Sequence, residues 1–164
     1  PRMTPQLRQE VMRFEQYREQ FAFLRDNGIT TRTDMAAFTA RTEETLANLM
    51  KQRTVLNVRR KRRRALYTAL ADAEALAPVK ELYEAGLSGM ETEFAQYMDA
   101  VAALEQCGVP REGLIQEKAE LYDRLAELNR QIRAERRKLA LCRKTQNSPG
   151  WSRKSTKQKR VKAR

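Results

Sequence analysis

The chain has 164 residues, a formal net charge of +12, 33% charged residues, six glycines, five prolines and no histidine. This composition suits one elongated helical domain better than two compact ones. The missing histidine removes the most common general base and metal ligand, so no catalytic residue, metal or cofactor is expected in the chain.

In chain order, Thr4 followed by Pro5 is an N-cap and first-turn pair. Leu7, Val11, Phe14, Phe21 and Leu24 then recur at helical spacing until Asn27-Gly28, which predicts a helix over 4–26. Thr31 with Asp34 is a weaker form of a capping box and opens a long helix over 31–64. That helix carries Met35, Phe38, Thr42, Leu46, Leu49 and Leu56 toward one side. Residues 65–110 read as a helical insert in three pieces, broken at Pro78, Gly86 and Gly108. Within it, Gly86-Leu87-Ser88-Gly89 is a helix-breaking turn, since no lysine follows to make a phosphate loop.

The last helix, over 111–144, is the most regular. Leu114, Lys118, Leu121, Leu125, Leu128, Ile132, Glu135, Leu139 and Cys142 follow alternating steps of four and three, a coiled-coil seam with two charged interruptions. The two long helices are each about 34 residues, or about 50 Å at 1.5 Å per residue. Equal lengths predict that they pair. The expected fold is therefore all-α: an elongated antiparallel coiled-coil hairpin over 1–144, braced by the N-terminal helix, with the insert at its tip.

From Thr145 the apolar periodicity ends, and Asn147-Ser148-Pro149-Gly150 leads into a basic tail without one acid, so 145–164 is expected to be disordered when free. Trp151, in that tail, is available to stack on a base, although a lone tail tryptophan is more often incidental. Cys107 and Cys142 lack metal-ligand spacing and read as reduced thiols packed on helices. No apolar stretch is long enough to span a membrane and Pro1 to Glu10 lack a signal-peptide core, so a cytoplasmic protein without membrane contact is expected. An initial proline fits either removal of a methionine or a segment of a longer protein.

The positive charge is local. Arg59, Arg60, Lys61, Arg62, Arg63 and Arg64 form an unbroken run, and the tail adds seven cations, including Arg153, Lys154, Lys157, Lys159 and Arg160. Setting those thirteen aside leaves 20 of the 33 cations against 21 acids. Two concentrated blocks point to two contacts with a polyanion, DNA being the expected partner. Six successive residues at 100° circle a helix, so two or three of the run must face the partner helix. Glu112, Glu117 and Glu120 lie roughly opposite and would neutralise about half of it. Arg133, Arg136, Arg137 and Lys138 are expected to pair with Asp34, Glu43 and Glu44 across the hairpin, and Glu120 with Arg124 along its own helix.

Three strings carry a family resemblance: MTPQLRQEVMRFEQYREQFAFLRDNGITTRTDMAAF, ALYTALADAEALAPVKELYEAGL and EKAELYDRLAELNRQIRAERRKLALCRK. Over roughly residues 3 to 144 they resemble the C-terminal helical region of relaxases, the nucleases that mobilise conjugative and mobilisable elements. In that family a separate N-terminal domain nicks DNA with a tyrosine and a histidine-bound metal, and this chain has no such histidines. The resemblance implies a non-catalytic accessory role, holding DNA near the nick or docking other transfer proteins. The competing reading is a coiled-coil arm that docks those proteins or pairs with a second copy as a homodimer.

Overall fold

The computed structural model describes residues 3–151. The described residues form five helices and no strand: α1 (Pro5–Asp26), α2 (Arg32–Ala75), α3 (Ala77–Glu84), α4 (Glu91–Cys107) and α5 (Arg111–Gln146). The fold is all-α, and the two long helices α2 and α5 pack against each other as a helical hairpin. Two compact units divide the chain, one of Pro1–Met50 with Arg130–Arg164 and the other of Lys51–Asn129. No described helix is long and apolar enough to cross a membrane.

In the first unit, the hydroxyl of Thr4 accepts the Leu7 N–H at 3.3 Å, and Pro5 begins α1 where a missing N–H costs nothing. The helix ends at Asn27, followed by Gly28 at φ 63, a left-handed position that glycine occupies without strain. The box at the start of α2 closes reciprocally. Thr31 Oγ1 accepts from the Asp34 N–H at 3.1 Å, while Asp34 Oδ2 accepts from the Thr31 N–H at 2.8 Å and the Thr30 hydroxyl at 2.9 Å. These donors, the Thr30 hydroxyl foremost, hold the Asp34 carboxyl down at about 2.

The core of this unit is small. Phe23, Ile29, Met35 and Cys142 are buried together, with Leu24, Phe38, Leu141 and Trp151 packed against them. Phe23 meets Phe38 edge-to-face with ring centroids 5.5 Å apart. Trp151 therefore packs against the core, and Thr145 is buried as well, so the expected disorder does not hold for 145–151. The aromatic anchor lies beyond the last regular seam step, where periodicity gives no warning of it.

The apolar repeat of α1 faces mostly outward. Phe23 is its buried side chain, whereas Leu7, Phe14 and Phe21 are exposed. Of that repeat, Leu24 packs against the core beside Phe23.

In the second unit, Ala69, Leu70 and Ala73 of α2 are buried with Ala100 and Leu104 of α4 and Leu114 of α5. The small alanines at these positions let three helices approach closely. Farther back along α2, Tyr67 and Leu56 pack with Leu121 and Leu125, so α2 and α5 run antiparallel here. Every apolar residue of the α5 seam is buried, with Leu114 and Leu128 fully so. Each such leucine contributes about 1.5–3 kcal/mol of burial.

Helix α2 does not stop at Arg64 but runs to Ala75. Residues 65–75 are mostly good helix formers without glycine or proline. The chain turns only at Leu76, because Pro78 has no N–H to continue the ladder to Glu74 and its ring crowds that carbonyl. The insert is thus reduced to α3 and α4, joined through glycines at positive φ and clasped by a stack of Tyr83 on Phe94 at 4.2 Å. The run 59–64 consequently lies inside α2 rather than at its C-terminal end. A favourable interaction with the helix terminus cannot account for it. Cys107 and Cys142 are free thiols on helices, Cys107 packed against the α2, α4 and α5 cluster and Cys142 within the first unit's core.

Candidate nucleic-acid interface

The run 59–64 is sorted by helix geometry into rows with different fates. Arg59, Arg63 and Tyr67 are four residues apart along α2 and all meet one acid of α5, Glu117. Arg63 grips both carboxylate oxygens, Nε to Oε1 at 3.1 Å and Nη2 to Oε2 at 3.4 Å. Arg59 approaches at 3.9 Å, and the Tyr67 hydroxyl donates to Oε1 at 2.9 Å. Burial, helped by the hydrogen bond and charge of Glu117, pushes the Tyr67 phenol up to about 12, so it stays protonated as a donor. Glu117 is thereby saturated by three partners.

The next row lies beside that node, with Tyr67 between them. Arg60, Lys61 and Arg64, with Asn57, Thr68 and Ala71, line one wall of a groove of about 670 Å³, and Lys118 and Tyr122 of α5 line the other. No acid among the described residues lines it. Among the described residues Arg60, Lys61 and Arg64 form no ion pair. Lys118 stands 6.0 Å from the centre of the Tyr67 ring, its stem half-buried and its charge at the groove. Tyr122, one turn along α5 from Lys118, is exposed. Lys61 and Arg64 also border a second groove against α4, where Asp72 and Asp99 supply acids. Arg62 is exposed and lines neither.

No protein-family profile, curated protein or solved structure matches the chain.

The expected pairing across α2 and α5 is only partly found. Of the three glutamates, Glu117 takes part, whereas Glu120 accepts from Gln116 at 2.7 Å. Arg124 donates to Gln52 at 3.1 Å instead of pairing with Glu120. In the first unit, Lys138 pairs with Glu135 of its own helix at 2.7 Å. Arg133, Arg136 and Arg137 are exposed and form no ion pair among the described residues. Arg153, Lys154, Lys157, Lys159 and Arg160 lie outside the described residues.

Lys118 and Tyr122 were not among the expected contact residues. The signal for them was the charged interruption in the seam: a lysine at a core position must carry its charge to an edge, and the residue one turn on shares that edge.

Proposed function

We propose that the chain binds nucleic acid through sequence-independent phosphate contacts, acting as a non-catalytic accessory module of a relaxase. The observation that carries the first part is the groove of Arg60, Lys61, Arg64 and Lys118, cationic on both walls and without a lining acid among the described residues. Cations so placed gain by displacing counterions from a phosphate backbone, and an exposed tyrosine beside them offers a face on which a base can stack. The relaxase assignment is supported by the sequence resemblance over residues 3 to 144.

The sorting of the cations makes the test specific. Labelled duplex and single-stranded DNA are titrated over a range of salt concentrations with the wild type, with R60Q/K61Q/R64Q and with R59Q/R63Q. Each lost duplex phosphate contact lowers the slope of log K against log salt by about 0.9, so the triple variant should lose about 2–3 units of slope. The double variant removes charges already held by Glu117 and should lose less than about 1. Equal slopes for wild type and triple variant would overturn the groove, and salt-insensitive or absent binding would overturn the function.

A further inference from the structure

Helix α1 leaves a long apolar stripe in solvent. Met3, which precedes the helix, and then Leu7, Phe14, Tyr17 and Phe21 are all about half or more exposed, Phe14 at 68% and Phe21 at 66%. With Glu10 between them and Leu24 after them they step by four and three without a break, which is the period of a coiled-coil seam. The stripe is narrow. Its members fall within about 100° of one another around the helix, the width that a single partner helix covers. A bilayer would favour a broader face, and would exclude the glutamate at its middle.

The residues beside the seam identify the occupant. The flanking positions hold Thr4, Gln6, Val11, Arg13, Arg18, Gln20 and Arg25, arginines without one acid. The acids of the helix other than Glu10 lie toward its far side: Glu15, Glu19 and Asp26, the last paired with Arg25 at 2.8 Å. A parallel second copy would set Glu10 against Glu10 and Arg13 against Arg18. An antiparallel copy finds no acid on any flank either, so self-pairing gains no flanking ion pair in any register, whereas an acidic partner satisfies the arginines.

We infer that α1 is a docking helix for an acidic amphipathic helix of another protein, one with an apolar seam flanked by glutamates or aspartates. The stripe shares no residue with the basic groove, so this inference does not rest on nucleic-acid binding. The partner's apolar seam covers the aromatic side chains, and its acids meet Arg13 and Arg18 along the edges.

The test uses the full chain and two synthetic three-heptad peptides with isoleucine at a and leucine at d. One carries glutamate at e and g, the other lysine. Calorimetric titration should show the glutamate peptide binding at least tenfold more tightly than the lysine peptide. F14A/F21A should lose that binding, which a general attraction to a basic protein would not, and R13E/R18E should reverse the preference. The inference is overturned if the glutamate peptide fails to bind, if F14A/F21A binds it as well as wild type does, or if both peptides bind equally. It is also overturned if ultracentrifugation shows a dimer of the chain abolished by F14A/F21A. Co-sedimentation with vesicles of three parts phosphatidylcholine to one part phosphatidylserine, lost in F14A/F21A, would assign the stripe to a membrane surface instead.

Discussion

Helix α5 and helix α1 carry the same alternation of four- and three-residue steps, yet their apolar seams end in opposite environments. Along α5 the apolar members from Leu114 to Cys142 are buried against other helices of the chain. Along α1 the members from Leu7 to Phe21 are exposed. The difference is written beside the seams rather than in them. Helix α5 has Glu117 next to its seam, and α2 presents Arg59 and Arg63 to it. Helix α1 is flanked by Arg13 and Arg18, which form no ion pair among the described residues. Periodicity specifies that a helix has a face to bury, while the flanking charges bear on what buries it.

The largest expected effect falls on the buried seam. Leu128 is fully buried, and L128A removes most of its side chain from a site where neighbouring helices can close only partly. The expected loss is about 2–5 kcal/mol, read as a lower urea midpoint at an unchanged slope. A loss below about 1 kcal/mol would mean that this seam is no better filled than the stripe of α1.

Much of this comparison was legible in the sequence, and its limits have physical causes. The caps at Thr4 and at Thr31 with Asp34 were legible because a cap is a local bond between residues three apart. The α5 seam was legible because its leucines repeat at strict spacing. The end of α2 was misplaced at Arg64 because the run of cations looks like a boundary, although nothing in ALYTALADAEA interrupts a helix. The exposure of the α1 stripe was not legible, because Phe21 and Phe23 have the same chemistry and only packing separates them. The groove was half legible: six cations in a row must include some that face outward, but Lys118 and Tyr122 join them only through the pairing of α2 with α5.

A smaller effect is expected where α1 is tied to the rest of its unit. Its buried anchor, Phe23, lies near the C-terminal end, and the turn that follows is closed by Asp34. The Asp34 carboxyl is held at about 2 against an ordinary 3.8, so its charged form is favoured by folding. That contribution is present above about pH 4 and is lost as pH falls through about 2. D34N mimics the protonated acid at all pH values. Its melting temperature should lie below that of the wild type at pH 7, and the gap should close between pH 4 and pH 2. A gap that persists at pH 2 would place the defect in the shape of the turn rather than in the carboxylate charge.

The smallest effect is expected on the exposed seam. Phe14 touches water over most of its surface, so F14A gives up little burial, and alanine is the better helix former by about 0.5 kcal/mol. Its urea midpoint should match the wild type or rise slightly, staying within about 0.5 kcal/mol. This near-null result carries the contrast with Leu128, because both side chains sit at seam positions of the same period. A loss of several kcal/mol from F14A would mean that the stripe is packed within the chain itself, and the place left for a partner helix would disappear. An unchanged stability would leave an aromatic seam that contributes little to folding, which is the physical signature of a surface kept for another molecule.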